Sequence, residues 1–491
     1  MFEYEKYRKP FYSRFMILNR MSDDTTSFGR KRKRRTYLKK IGGVVGVSMM
    51  GSLAGCGGGS DGGSGGSGGS GGGGSDGGGG SDGGGDDTTE QSGYDREIDK
   101  AFMSPDSLKI DLWKAFRNGM KEAANDFGMT ASAQDHGGQL SKQISQIEGA
   151  ITSGADMVAA TAPSDSGVKS LAETAVAQGV PFFEYWSMGK WLVPESVGPE
   201  FVQYQIPETY HAGAIPAKVL FEEMGGSGNV VVILGPKGHI GSYRYEGFKQ
   251  AAEDYPDINV LAHQYSGGWT RKKGRQVMSA FVSNYGDDID GVYCNNGTLG
   301  LGAASILSEN DMAIPFTGFD GALSNIEYLN NNGPDSGEPY QVQEQAAPPF
   351  WQGGWAVAKA WDWLHGWRPK TPERMLWVRT LTVLNPELDQ SKFSDLETRF
   401  ATPDRYMDVA YSDGHSPYDW KKMSVHESGD DWDPQHELVP IRKSEWEQLK
   451  WTEDNKPNNL DIPDAYDDTQ LFDQVEEDYR TRNENGMNPY L

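Results

Sequence analysis

The sequence predicts an α/β fold of two lobes, each a mostly parallel sheet flanked by helices, and three observations lead there. Beyond Tyr94, short apolar runs alternate with amphipathic stretches of helical period, the pattern of strand–helix–strand units. The apolar runs are nearly continuous, as strands covered on both faces require. The body they build is roughly 300 residues long, more than one hydrophobic core sustains, so two cores are expected.

In chain order the predicted strands are IDKAFM (98–103), MVAATAP (157–163), VPFFEYW (180–186), VVVILG (230–235), INVLAHQY (258–265), GVYCNN (291–296), IPFTGFDG (314–321) and YQVQEQ (340–345). Between the first two, WKAFRNGMKEAANDFG sets Trp113, Phe116, Met120, Ala123 and Phe127 on one helical face and stops at Gly128. LSKQISQIEGAITSG, VKSLAETAVAQG, YRYEGFKQAAEDYP and LGLGAASILSEND supply further helices. Ligands of open parallel sheets sit beyond the carboxyl ends of the strands, so the residues just after each strand are where function is sought.

Ahead of this body the composition changes twice. Arg34 and Arg35 are followed by Tyr37 and Leu38, then by a glycine-rich apolar stretch, Ile41 to Leu53, and by Leu53-Ala54-Gly55-Cys56. The stretch is shorter than the roughly 20 residues of a membrane span and fits the apolar region of a signal peptide. The order resembles a twin-arginine export signal ending in a lipobox. That resemblance implies lipidation of Cys56 and placement on the outer face of the membrane. From Gly57 to about Asp87 the chain is almost wholly Gly, Ser and Asp, a solvated tether with a reach of roughly 30 Å.

Residues 1–55 hold 13 of the 46 basic and 4 of the 70 acidic residues, leaving 33 basic against 66 acidic, a formal charge near −33. Spread over the whole body, this excludes nucleic acid as a natural partner and strains a compact fold at low salt. It suggests adaptation to molar salt, where screening is short-ranged. Only Cys56 and Cys294 occur. With Cys56 assigned to lipid, no disulfide is available, and Cys294 is expected to be a buried small hydrophobe.

The strand ends carry a family resemblance. GADMVAATAPSDSGV (154–168), VAQGVPFFEY (176–185), LGPKGHIGSYRYEGF (234–248), YCNNGTLGLGA (293–303), PFTGFDGA (315–322) and YQVQEQ (340–345) stand in the order found in sugar-binding periplasmic proteins of the ribose and galactose type. The stretch from Ile98 to Asn385 resembles these type I solute-binding proteins of ABC importers. The resemblance implies two lobes joined by crossover strands, residues 93–208 with 346–370 in one and 209–345 with 371–390 in the other. Residues 1–56 are then the signal, 57–92 the tether and 391–491 an acidic, aromatic-containing extension.

It also implies a site for a sugar or polyol. Arg244 would offer a planar fork to hydroxyls, and Asn296, Asp320 and Gln345 would pair with others. Trp113 and Trp269 would be aromatic plates against the ring. Where ribose-type proteins carry an Asp-Arg pair, this chain has Trp186 and Ser187, so Glu184, Tyr185 and Trp186 are the candidates to replace it. The alternatives are bland: Arg244 paired with Glu246 or Glu222 on a helix surface, Asp320 capping the helix near Ala322, Trp113 in the core, and Asn296 as a glycosylation sequon.

No His-x-x-x-His pair, phosphate loop or cysteine pair occurs, so no catalytic residue, metal or cofactor is assigned. The expected partners are a small polyol, membrane permease subunits and a lipid anchor, with the protein a monomer. A chemotaxis or signalling sensor of the same fold, a nucleoside binder and a secreted carbohydrate-active enzyme are the rival readings. The extension is expected to pack on the body or cover a sheet edge, with its last 40 residues only partly ordered.

Overall fold

The computed structural model describes residues 99–491 apart from 238–239, 397, 399, 412–416, 448 and 486–491. Arg34, Arg35, Cys56 and the tether lie outside the described residues. The first lobe opens with β1 (Lys100–Ser104), α1 (Asp111–Asp126), β2 (Thr130–Ala133), α2 (Leu140–Thr152), β3 (Met157–Ala160), α3 (Val168–Val176), β4 (Phe182–Tyr185) and β5 (Phe201–Pro207). The second holds α4 (Thr209–Glu223), β6 (Ser227–Leu234), α5 (Ile240–Glu253), β7 (Asp257–Tyr265), α6 (Arg271–Tyr285), β8 (Gly291–Cys294), α7 (Gly297–Glu309), β9 (Pro315–Phe319), α8 (Leu323–Asn331) and β10 (Tyr340–Ala346). There follow α9 (Pro349–Leu364), β11 (Met375–Val378), β12 (Leu381–Leu384), β13 (Phe400–Ala401), α10 (Pro403–Ala410), α11 (Val425–Ser428), β14 (Leu438–Pro440) and α12 (Thr469–Asn485).

Two seven-stranded sheets result, ordered β14-β11-β5-β4-β3-β1-β2 and β13-β12-β10-β9-β8-β6-β7. All pairings are parallel except β11–β14 and β10–β12. Period-two alternation sends neighbouring side chains to opposite faces. Along β1, Ala101 and Met103 enter one apolar cluster and Phe102 the other. Along β6, Val230, Val232 and Leu234 face one side and Val231 and Ile233 the other. Both faces are buried under helices, α1 packing on α9 in the first lobe, and α4 on α5 and α6 on α7 in the second.

One expectation changes. β11 pairs with β5, Met375 opposite Tyr204 through Val378 opposite Pro207, whereas β12 pairs with β10. Residues up to Val378 therefore belong to the first sheet, and the crossover falls at Arg379 and Thr380 rather than before residue 371. The last 40 residues also include α12, anchored by the buried Phe472, Val475 and Tyr479. Its apolar face pays the ordering cost that the acidic composition alone could not. Cys294 is fully buried, and burial holds its thiol far above the usual range.

Candidate functional site

β6, β8 and β9 lie side by side and parallel in the second sheet, and residues just beyond their carboxyl ends meet the start of α5. Arg244, on α5, is 3% exposed. Its Nη1 donates to the Asn295 carbonyl at 2.7 Å, and its Nη2 donates to Asp320 Oδ1 at 2.6 Å. The guanidinium lies over the Phe319 ring, 4.5 Å from its centre, a stacking that a planar cation favours. Nε makes no hydrogen bond within the protein. Glu246 instead pairs with Lys249, and Glu222 accepts from Tyr255.

Asn296 caps α7, its Oδ1 accepting from Leu299 N at 3.1 Å, and its Nδ2 donates to Asp320 Oδ2. Asp320 itself has φ +85°, a conformation rare for residues with a side chain. Its N–H donates to the Gln345 carbonyl at 2.8 Å. Ala322, the N-cap of α8, has no side-chain cap, so the Asp320 carboxylate serves Arg244 and Asn296. Gln345 reaches the site through that carbonyl. Its amide group is taken up by Thr380 at 2.8 Å and Thr382 at 3.0 Å.

Asn295, which sequence reasoning passed over for its neighbour, organises this half. Fully buried, it accepts from Gly235 N at 2.9 Å, donates to the Gly241 carbonyl at 2.7 Å, and offers its own carbonyl to Arg244. Gly235 and Gly241, so pinned, pack against Trp269: a Cβ at Gly241 would come within 2.9 Å of the indole, and one at Gly235 would run into it. Gly235→Ala should therefore cost about 1–3 kcal/mol through overpacking. A fall in melting temperature together with a changed tryptophan emission checks this, and unchanged melting would refute it.

The first lobe contributes aromatic surface. Trp113 and Trp186, each 7% exposed, meet edge to face at 5.0 Å. Trp186 has φ +64°, strain that is kept only where the surroundings enforce it. Ile240 and Trp269 of the second lobe join the same apolar cluster. Trp113 thus belongs to the core, in the same cluster as Ile240 and Trp269. Beneath them Glu184 is fully buried, one oxygen accepting from Ala162 N at 2.7 Å and the other without a partner. Burial holds its carboxyl well above the usual carboxylate range. Ser104 Oγ and Gln205 Oε1, on β1 and β5, are likewise buried and unpaired.

Asp165, in the turn after β3, was not singled out from the sequence. Burial raises its carboxyl to about 7, against one weak donation from Met188 N at 3.3 Å. Its charge acts on Glu184 and Tyr204 in its own lobe and on Tyr243 of α5 in the other. Since the folded value is raised, its stabilising contribution is full below about pH 4 and is lost as pH rises toward 7. The melting temperature should fall across that window, and less so in Asp165→Asn. Parallel profiles in the two proteins would contradict this. A cavity of about 280 Å³ is lined by Asp111, Lys114 and Asn118 of α1, Leu323 of α8, Phe350 of α9 and Tyr411.

Two seven-stranded, mostly parallel sheets joined by crossovers and covered by helices make a two-lobed α/β protein. Residues 101–366 match the family described as periplasmic binding protein domain, and the chain belongs to that family. The xylitol-binding protein of Mycolicibacterium smegmatis is 31% identical over 184 residues, 37% of this chain and 50% of that one. The D-apiose import binding protein of Actinobacillus succinogenes is 28% identical over 216 residues, 43% of this chain and 66% of that one. The chain thus spans half the length of the first relative and just under two thirds of the second. In fold it is similar to a twin-arginine translocation pathway signal protein from Burkholderia phytofirmans, with a TM-score of 0.53 and 23% identity, covering 59% of this chain and 90% of that one.

Proposed function

We propose that this chain is the solute-binding component of an ABC importer, taking up a sugar or related polyol between its lobes and presenting it to a membrane permease. The observation that carries this is the buried Arg244, held between the Asn295 carbonyl and Asp320 with its Nε left free. A hydroxylated ring satisfies such a group and the Asp320 and Asn296 side chains together, while its C–H faces suit Trp113, Trp186 and Trp269. The two relatives named for xylitol and D-apiose support this ligand class.

Binding proceeds by closure without a chemical step. A ligand touching both lobes favours the closed arrangement by its differential contacts there. The twin-arginine pair Arg34 and Arg35, and lipidation at Cys56, would place the protein outside the cell membrane on its tether, acting as a monomer in high salt.

A thermal-shift and tryptophan-fluorescence screen of the protein in molar salt tests this, with pentoses, hexoses, pentitols, inositols, disaccharides and nucleosides. A saturable rise in melting temperature with one polyol, and no product formed, is expected. A shift with nucleosides alone would overturn the ligand class, and turnover of a glycoside would overturn the binding role.

A further inference from the structure

Residues 391–491 do more than cover an edge. β13 adds to β12 at the edge of the second sheet, and β14 adds to β11 at the edge of the first. Between them the chain passes from one lobe to the other once more, beyond the passages at β5–α4, β10–α9 and β11–β12. On the second lobe, Tyr406 is fully buried within reach of the Gly321 and Ala347 carbonyls at 3.1 and 3.0 Å, and the Tyr411 hydroxyl donates to Gly321 O at 2.8 Å. On the first, Trp420 Nε1 donates to Glu122 on α1 at 2.9 Å.

The chain then returns toward the second lobe. Trp446 and Trp451, each 2% exposed, pack on Trp191 of the loop after β4, with ring centres 5.7 Å away in both cases. Trp191 Nε1 also donates to Asn455 at 2.7 Å. From this anchored segment two groups reach α5. The Leu449 carbonyl accepts from the Tyr243 hydroxyl at 3.4 Å, and Lys450 Nζ lies 3.6 Å from Glu246. Lys450 has φ +59°, a left-handed conformation that costs a lysine energy and that its surroundings must hold. Tyr243 and Glu246 flank Arg244 on a single turn of helix.

We propose that Trp446, Leu449, Lys450 and Trp451 form a latch, fixed to the first lobe through the tryptophans and closing reversibly on α5 through Leu449 and Lys450, so that the extension biases the lobes toward the closed arrangement and gates ligand exchange. The asymmetry of the contacts makes it a latch rather than a permanent tie. The tryptophan side is buried and aromatic, whereas the contacts described on the α5 side, the Tyr243–Leu449 hydrogen bond at 3.4 Å and the Lys450–Glu246 ion pair at 3.6 Å, are individually weak. Because Arg244 rides on the latched turn, release of the latch and withdrawal of Arg244 from the cleft become one motion. This rests on the reading of the lobes as a pair that closes on a ligand.

The test reads lobe separation without ligand. In a Cys56→Ser background, spin labels at cysteines replacing the exposed Lys169 and Lys272 report the distance between α3 and α6, while the buried Cys294 stays unlabelled. Measurements use the lowest salt at which the protein stays folded, where the ion pair is least screened. Lys450→Glu, which sets like charges opposite each other, should lower the closed-to-open ratio about three- to fivefold. Glu246→Lys with Lys450→Glu should restore it, which a mere loss of folding would not allow. A Lys450→Glu distribution identical to that of the parent would overturn the latch. So would a double variant as open as the single one. Failure of every polyol in the screen would undermine the proposed ligand class and leave this measurement intact.

Discussion

Arg244→Ala is expected to weaken binding of the polyol found in the screen by at least about 100-fold, or about 2.7 kcal/mol. The guanidinium pairs with both the Asn295 carbonyl and Asp320 at the junction of β8, β9 and α5, and hydrogen bonds from a charged donor contribute roughly 1.5–3 kcal/mol each. Its removal also leaves the Asp320 carboxylate with Asn296 as its remaining named partner, so the melting temperature of the ligand-free protein should fall too. Arg244→Lys separates the two effects. Lysine keeps the charge beside Asp320 but cannot reach Asn295 O and Asp320 together with a planar fork, so stability should recover more than affinity. Calorimetric titration of the three proteins checks this. Affinity in Arg244→Ala within threefold of the parent would place the ligand elsewhere.

The central strands were legible because each is a short apolar run, and β3, β4, β6, β8 and β9 fall where those runs are. β5 was hidden by its glutamines. Gln203 and Gln205 are fully buried, and Gln203 accepts from Trp355 Nε1 at 2.8 Å while donating to the Glu373 carbonyl at 2.7 Å. A polar residue satisfied by distant partners looks like a loop residue in sequence. β11 and β12 are four residues each, separated by Arg379 and Thr380, and a two-residue gap reads as one strand or a hairpin. Only their pairing assigns them to different sheets.

The site follows the same division. Arg244, Asn296 and Asp320 were named because each belongs to a recognisable motif near a strand end or helix start, and the fold brings the three side chains together. Asn295 was adjacent to a chosen residue, yet nothing local says which of two asparagines turns inward. Asp165 gains its character from burial and from Tyr243, 78 positions away in the chain and in the other lobe. Gln345 was expected to point at ligand, but Thr380, in the link after β11, and Thr382, on β12, which the sequence did not reveal, occupy its side chain.

The attachment of the extension carries the largest expected effect on stability. Lys359 and Asp362 on α9 form an ion pair at 2.9 Å with side chains 1% and 0% exposed. The ammonium sits 4.3 Å from the Trp432 ring centre, 4.8 Å from Trp355 and 5.1 Å from Trp367. The carboxylate accepts from Ser424 Oγ at 2.5 Å, Val425 N at 3.0 Å and His426 N at 2.9 Å, and so caps α11. Asp362→Ala leaves a charge buried among tryptophans and frees that cap, a loss of about 3–5 kcal/mol. Urea midpoints in molar salt should fall accordingly, and hydrogen exchange should rise first in residues 424–432. Replacing both partners, Lys359→Met with Asp362→Leu, should recover most of the loss, because the cost lies in the stranded charge more than in the missing pair. A single variant within about 1 kcal/mol of the parent would show that the ammonium relaxes to water, and that the tryptophan cage does not hold the extension in place.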